Sequence, residues 1–175
     1  LHNMPGLETG HFFFRQGPSM ASSDYASITL HGVGGHGAMP QTTADPVVAA
    51  ASIVMALQTV VSRNVDPLHT AVVTVGAIHG GLRENIIPDS VWMIGTIRTF
   101  DPKMRTLVHE RMKRVATNIA EAHGATADVH LDIGYPSTVN NDGMVNKFAP
   151  TLRRVAGAPG ASEGNISMAA EDFSR

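Results

Sequence analysis

One loop carries the side chain best suited to chemistry. An apolar strand pattern leads into the run GVGGHG, residues 32–37, and a helix-start signature follows at Asp45 and Pro46. His36 has a glycine on each side, which would let a substrate approach closely, and an imidazole is a good donor to a developing oxyanion. The loop therefore indicates a candidate catalytic histidine, although an ordinary loop histidine would show the same pattern.

The same loop matches the dinucleotide-binding pattern G-x-G-x-x-G. That site needs a helix that opens at the third glycine and an acidic residue at the end of the next strand. Here residues 38–44 separate the glycines from the helix, and the next strand ends in Ala77, Ile78 and His79. The sequence thus argues against a nucleotide fold.

Two other polar residues interrupt apolar surroundings. Asn85 lies in the link ENIIPD between two strands, where an amide can bind its own backbone as a turn former. Arg98 ends an apolar strand, where it can pair with Asp89 or Asp101 or hold a ligand carboxylate through its fork of donors. Both alternatives stay open for Arg98.

The chain ends carry a third set of candidates. His2 is a lone histidine, and Glu171 and Asp172 are adjacent acids of the kind usually found in solvated turns. His109 is followed by a glutamate but lacks the second histidine of the zinc motif H-E-x-x-H. His79 stays open, and no role is assigned to the histidines on predicted exposed faces or turns, namely His31, His69, His109, His123 and His130.

Regular elements surround these residues. The patterns predict strands over 24–31, 70–78, 90–98 and 128–134, with a helix from Asp45-Pro46 to about 64 and another from Asp101-Pro102 to Gly124. The second strand is a β-branched run, which predicts that both its faces are covered. The order is that of the ferredoxin-like split βαβ unit: an α+β fold with a four-stranded antiparallel sheet and two helices on one face.

The flanking segments have a different character. Residues 1–20 are rich in glycine and proline around the apolar run Phe12 to Phe14, residues 142–157 predict a helix disturbed by Pro150, and residues 157–165 predict a loop. We expect a small domain inserted between two parts of a parent domain, and neither chain end resembles a natural terminus.

Composition excludes several classes of function. The 175 residues carry a formal charge of −2, which gives no broad field for nucleic acid or an anionic membrane. There is no cysteine, so the chain has neither disulfides nor a thiolate site. We expect no membrane span, because no apolar run approaches the ~20 residues that a span needs. A cytoplasmic location is expected.

Taken in order, seven segments resemble one family. They are LHNMPGLETG, GPSMASSD, HGVGGHGAMPQTTADP, VSRNVDP, ENIIPD, GTIRTF and AAEDFS. Together they resemble the M20 metallopeptidases, specifically the amidohydrolase branch that includes hippurate hydrolase and aminoacylase-like enzymes. The resemblance runs along essentially the whole chain, which would be a fragment of such an enzyme.

The resemblance implies an architecture and a cofactor. Such enzymes have an α/β catalytic domain that holds two divalent metal ions, usually zinc or manganese. An inserted lid domain often forms the homodimer. Residues 1–22 and 137–175 would be remnants of the catalytic domain, and residues 23–136 would be the lid. The substrate would be a small N-acyl amino acid.

The resemblance also assigns roles. His2 falls on a metal-ligand histidine, and His36 falls on the lid histidine that reaches the active site, in many members from the opposite subunit. Asn85 falls on the substrate-holding asparagine and Arg98 on the carboxylate-binding arginine. Glu171 and Asp172 fall near the site without a specified role.

The chain departs from the family in what it lacks. The H-D-G-H type motif, the glutamate base and most metal ligands are absent, so we expect the chain alone to bind no metal pair well and to be inactive. The alternative interpretation is a non-catalytic ferredoxin-like dimerisation module. That alternative explains the fold but not why His36, Asn85 and Arg98 occur together.

Overall fold

The structure is a computed structural model that describes residues 2–157 and 160–175. Its strands and helices follow in this order along the chain: β1 (Phe12–Phe14), β2 (Gly17–Met20), β3 (Ser23–His31), β4 (Gly35–His36), α1 (Pro46–Asn64), β5 (Ala71–Gly80), β6 (Ile86–Ile87), β7 (Ser90–Thr99), α2 (Pro102–Ala122), β8 (Thr126–Tyr135), β9 (Thr138–Asn140), α3 (Asp142–Ala156) and β10 (Ala161–Glu163). The chain forms two compact units, residues 24–134 and residues 1–23 with 135–175.

The unit of residues 24–134 is built on a four-stranded sheet. Its strand order is β5-β7-β3-β8. β7 pairs antiparallel with both β3 and β5, and β8 lies beside β3. The two helices connect strands in the split βαβ order, so the predicted α+β ferredoxin-like fold is confirmed.

Both helices pack on one face of this sheet. Alternate residues of β3 and β7 point into the core, because successive side chains of a strand face opposite sides. The core residues that α1, α2, β3 and β7 bury most completely are Ala49, Ile53, Leu57, Val60, Val108, Met112, Ala116, Ala120, Ile28, Leu30, Val91, Met93 and Ile97. On the opposite face Tyr25, Trp92 and Ile94 are exposed, and the His79 ring stacks on Trp92 with 4.2 Å between ring centroids.

The predicted helix starts are confirmed. The Asp45 carboxylate accepts the N–H of Val47 at 2.8 Å, and Pro46 occupies the first helical position of α1. Asp101 caps α2 in the same way by accepting the N–H of Lys103 at 2.7 Å. Each cap satisfies a main-chain donor that has no partner inside the helix.

By length and composition, α1 is apolar enough to cross a membrane. The expectation that no segment approaches this length is therefore wrong. Part of the apolar surface of α1 packs in the core, since Ala49, Ile53 and Leu57 are fully buried. A core helix whose exposed side carries alanine and valine meets the same criterion.

The prediction that both faces of the second strand are covered is also wrong. β5 lies at an edge of the sheet, and its Thr74 and Ile78 are exposed. Its pairing with β7 shifts register between Val75 and Ala77, which is a β-bulge at Gly76. The β-branched run therefore reports half-buried packing, not burial on both sides.

The glycine-rich loop after β3 is fastened to the segment before β7. Gly32 donates to the Asp89 carbonyl at 2.8 Å, and Gly34 donates to the Asp89 carboxylate at 3.0 Å. β4 then pairs antiparallel with β6, and Gly37 donates to the Asn85 carbonyl at 2.8 Å. The link ENIIPD, predicted to be irregular, thus contains a short strand.

The glycines beside His36 are required by protein contacts. A Cβ atom on Gly35 would lie 2.7 Å from Cγ2 of Thr43, and one on Gly37 would lie 3.1 Å from the Asn85 carbonyl oxygen. Real Cβ atoms essentially never come as close as the first contact. The two glycines thus let the loop pack against Thr43 and the Asn85 main chain, and the idea that they also let a substrate approach closely stays a prediction.

A buried carboxylate joins the start of β3 to the end of β8. Asp24 is fully buried and accepts hydrogen bonds from both Arg105 and His109 of α2, the latter at 2.8 Å, and from the Gly134 N–H at 3.0 Å. Burial opposes the charge, but the hydrogen bonds and charges of these partners outweigh it, so the pKa of Asp24 is lowered.

The prediction that His109 lies on an exposed face is wrong. Its side chain is only 13% exposed. It faces the core edge of α2 on the same side as Arg105, four residues earlier, because residues four apart share a helix face. The spacing of these two residues was readable in the sequence, but their common partner Asp24 lies 81 and 85 positions away.

The second unit joins both chain ends. β1 pairs parallel with β10, and β2 pairs antiparallel with β9. α3 contains Pro150 as predicted. The segment expected to be loop beyond residue 157 includes β10, because its main-chain groups pair with β1, and residues 158–159 lie outside the described residues.

Replacing Asp24 by asparagine should destabilise the unit of residues 24–134. Arg105 is 18% exposed and would lose its buried anion, so we expect a cost of about 3 kcal/mol at pH 7. Because the pKa of Asp24 is lowered on folding, its contribution is present above its ordinary value of 3.8 and is lost as the pH falls through the folded value. The gap between wild type and variant should therefore narrow below about pH 4.

Urea unfolding followed by Trp92 fluorescence measures this unit, since Trp92 is the one tryptophan of the sequence. Asp128→Asn is the matched control, because Asp128 is 84% exposed and pairs with His31 at the surface. It should cost less than about 1 kcal/mol. Equal effects of the two substitutions would show that the Asp24 network does not hold the unit together.

Replacing Gly37 by alanine should loosen β4 from β6. The new Cβ would press on the Asn85 main chain, which cannot rotate away as a flexible side chain can. We expect faster amide hydrogen exchange at residue 37, whose N–H binds the Asn85 carbonyl, with a local cost of about 1–3 kcal/mol. Gly76→Ala is the control, since a Cβ there has nothing within 4 Å. Unchanged exchange in the Gly37 variant would contradict this account.

Candidate functional site

His36 projects from the short strand β4, and its main chain is held on both sides. The His36 carbonyl accepts the N–H of Met39 at 2.8 Å, which closes a turn over Gly37 and Ala38. The Nδ1 atom of the His36 ring accepts the N–H of Ala38 at 3.1 Å. The residue is exposed, so the ring is positioned by local main-chain bonds and remains open to a ligand.

Asn85 lies directly beside this loop. Its carbonyl accepts the Gly37 N–H, and the next residue, Ile86, is paired with His36 across β4 and β6. Asn85 is exposed, and its main-chain carbonyl is engaged by the loop. Two candidate site residues that are 49 positions apart in the sequence are thus brought together.

Arg98 lies at the other end of the sheet. The His36 loop is bound to Asp89, next to the start of β7 at Ser90, whereas Arg98 lies eight residues further along the same strand. At ~3.3 Å per residue, that separation is about 26 Å. Arg98 is paired with Val72 and follows Ile97, the partner of Asp24, so it lies at the end where the chain joins this unit.

The two carboxylates proposed as partners of Arg98 are engaged elsewhere. Asp101 caps α2 and lies 3.6 Å from His69, while Asp89 accepts the Gly34 N–H. Within residues 2–157 and 160–175, no carboxylate lies within ion-pair distance of the half-buried Arg98 guanidinium. Its fork of donors is therefore available to an external carboxylate.

The other unit brings His2 and Glu171 into contact. The His2 Nδ1 atom lies against a carboxylate oxygen of Glu171, although the residues are 169 positions apart. A hydrogen bond with Asp172, the contact with His2 and the N–H of Phe173 together lower the pKa of Glu171 to about 2. Glu171 is thus ionised at neutral pH and holds one nitrogen of the His2 ring.

This contact fits one part of a metal site. A histidine that binds metal through one ring nitrogen commonly uses the other to bond a carboxylate. However, among the residues that the structure describes, no three histidine, aspartate or glutamate side chains are close enough to hold a metal ion. The described side chains therefore do not form a metal-pair site by themselves.

Sequence reasoning missed the residues that position the site. Asp89 fastens the loop through both its carbonyl and its carboxylate, and the Ala38 N–H binds the His36 ring. An aspartate between Pro88 and a strand has many structural roles, and a main-chain donor leaves no mark on residue type. The only available signal was the density of glycines, which indicates close main-chain approach.

Comparison with known proteins places the chain in a family. The M20 model described as the peptidase dimerisation domain matches residues 22–129. The chain is 39% identical over 178 residues to N-acetyl-L-cysteine deacetylase of Bacillus subtilis, covering 99% of this chain and 41% of that protein. It is 37% identical over 173 residues to hippurate hydrolase of Campylobacter jejuni, covering 98% of this chain and 45% of that protein.

A solved structure agrees with these relatives. The Bacillus subtilis protein described as a dinuclear metal-binding peptidase from the M20 family superimposes with a TM-score of 0.76 at 32% identity, covering 99% of this chain and 42% of that one. The chain thus spans less than half the length of the relatives it matches. The match to the dimerisation domain covers most of the sequence, and the chain belongs to the M20 peptidase family.

Proposed function

We propose that this chain is the lid, with flanking parts of the catalytic domain, of a metal-dependent amidohydrolase. The substrate would be a small N-acyl amino acid, hydrolysed to an amino acid and a carboxylic acid. The proposal is supported by membership of the M20 family and by similarity to a hippurate hydrolase and a deacetylase. In it, residues 1–22 and 137–175 belong to the catalytic domain and residues 23–136 to the lid. The cytoplasmic location remains a prediction.

The observation that carries the proposal is the distance between Arg98 and the His36 loop. An N-acyl amino acid is about as long as two extended residues, roughly 7 Å. Along β7, Arg98 lies about 26 Å from Ser90, which is next to the anchor of the His36 loop, so one small substrate is too short to reach both ends of the strand within one copy. A homodimer removes the difficulty, because a second copy can supply His36 and Asn85 to a site that uses Arg98 of the first.

Each side chain then has one task. Arg98 holds the free carboxylate of the amino-acid part through paired N–H donors, assisted by the Asn85 amide. His36 donates to the oxygen of the tetrahedral intermediate, a contact worth about 3 kcal/mol in the transition state. Neither task moves a proton in the rate-determining step. The chain's own contribution is confined to binding, orientation and charge stabilisation.

A non-catalytic role is the second candidate. The matched family model is itself a dimerisation domain, and the described residues hold no metal cluster. A ferredoxin-like dimerisation module would need the sheet and helices but not His36, Asn85 and Arg98. Extending the coding sequence upstream separates the two: an open frame containing an H-D-G-H motif supports the enzyme, and a start codon near Leu1 supports the module.

Titration of the 175-residue chain with zinc should reveal no pair of tight sites. His2 with Glu171 is one candidate ligand and its carboxylate partner, and three or four protein ligands are needed to hold zinc. Isothermal calorimetry should show weak binding that is unchanged in magnitude between wild type and His2→Ala. Two tight sites in the wild type, lost on this substitution, would overturn the expectation that the chain alone is inactive.

Mixing two inactive variants of the parent enzyme should restore activity. In a homodimer, each of the substitutions His36→Ala and Arg98→Ala would inactivate both active sites. If each site takes His36 and Arg98 from different copies, a mixed dimer has one intact site and one doubly impaired site, so random mixing should recover about a quarter of wild-type activity. Hydrolysis of hippurate after joint unfolding and refolding measures it.

Refolding each variant with itself is the control and should recover nothing. If the mixture also stays inactive while mixed dimers are present by mass, the two residues act in one copy, and the dimer-based site is wrong. If the wild-type parent hydrolyses no N-acyl amino acid, the proposed reaction itself fails.

A further inference from the structure

The His36 ring accepts a hydrogen bond at Nδ1, and this bond affects which ring nitrogen carries the hydrogen of the neutral imidazole. A neutral imidazole carries one hydrogen, on either Nδ1 or Nε2, and the nitrogen without it is an acceptor. The Ala38 N–H lies 3.1 Å from Nδ1. We infer that the Ala38 main chain fixes His36 in the Nε2–H tautomer, so that the neutral ring presents a hydrogen-bond donor outwards.

The Ala38 N–H is held in place by its neighbours. Gly35 and His36 are paired with β6, Gly37 donates to Asn85, and Met39 donates back to the His36 carbonyl. These bonds fix the main chain immediately before and after Ala38. The donor therefore meets the ring with little freedom to turn away, and a hydrogen on Nδ1 would point at the hydrogen of the Ala38 amide.

The opposite nitrogen is left for a ligand. In the part of the chain that the structure describes, no protein group is bonded to Nε2 of the exposed His36 ring. With its hydrogen on Nε2, a neutral His36 can donate to a carbonyl oxygen or an oxyanion. With the other tautomer it would present a lone pair and repel the same oxygen.

This inference rests on the proposed function for its catalytic meaning, but not for its geometry. Ala38 is a positioning residue, since it acts on the substrate only through His36. The Ala38 side chain plays no part in fixing the tautomer, which depends on the Ala38 main-chain N–H. Sequence variation at this position is therefore compatible with the inference, provided that the residue is not proline.

The first test observes the tautomer in the 175-residue chain. The protein is labelled with ¹⁵N and studied by long-range ¹H–¹⁵N NMR at about pH 9, where histidine side chains are neutral. The His36 signals are those lost in His36→Gln. We expect Nδ1 to show the chemical shift of an unprotonated nitrogen and Nε2 that of a protonated one. A protonated Nδ1, or an even mixture, would overturn the inference.

Two variants test the cause. Ala38→Gly retains the N–H and should keep the Nε2–H tautomer, whereas Ala38→Pro removes the N–H and should shift the ring towards a mixture. Amide exchange at Gly37, whose N–H binds the Asn85 carbonyl, shows whether the loop stays paired with the β6 segment in the proline variant. If β4 and β6 separate in that variant, the comparison of wild type with Ala38→Gly remains the test of the cause. Loss of the Nε2–H tautomer in Ala38→Gly would contradict the main-chain explanation.

A last comparison connects the tautomer with turnover in the parent enzyme. A glutamine side chain places its amide nitrogen near the position of Nε2, and an asparagine places it near Nδ1. His36→Gln should retain at least tenfold more kcat on hippurate than His36→Asn, with a similar KM. Equal losses, with the tautomer confirmed by NMR, would refute the oxyanion role and leave the tautomer assignment intact.

Discussion

The buried carboxylate of Asp24 is the interaction on which the unit of residues 24–134 depends. It receives hydrogen bonds from an arginine and a histidine of α2 and from one main-chain N–H at the end of β8. Without those partners a fully buried charge would be unfavourable, and with them it draws the first and last strands of the unit against one helix. The chain thus begins and ends this unit at one point.

The place where the chain enters and leaves this unit also determines where the site residues lie. Arg98 follows the partner of Asp24 on β7 and so lies where the chain joins the unit, while the loop of His36 lies at the far end of the same strand. The sheet thus separates Arg98, the predicted carboxylate-binding residue, from His36, the predicted hydrogen-bond donor. In the proposed homodimer, a second copy would bring the His36 end of one sheet to the Arg98 end of the other.

Much of this could be predicted from the sequence. Period-two and helical patterns, with Asp-Pro at both helix starts, identified all four strands of the main sheet and both of its helices. Those signals are local, since each depends on neighbours within a few residues. His36, Asn85 and Arg98 were also singled out, and their assigned roles stay predictions. In the structure His36 and Asn85 are neighbours, and Arg98 lies at the opposite end of β7 from both.

The rest could not be predicted because it depends on contacts far apart in the sequence. Asp24 looked like an ordinary residue at a strand start, and only the fold brings Arg105 and His109 to it. The two-residue strands β4 and β6 are too short to show a period. Main-chain donors such as the Ala38 N–H exist at every residue except proline, so composition cannot reveal which of them is used.

The two edges of the sheet differ in a way that limits assembly. β8 carries Asp128, His130 and Asp132 on its exposed positions, and such charges discourage an added strand. β5, at the other edge, has no charged carboxylate, lysine or arginine between Ala71 and Gly80. Pairing of two copies through β5 would leave only the charged β8 edges outermost. Such an assembly would stop growing at two copies, because no uncharged edge would remain for a third.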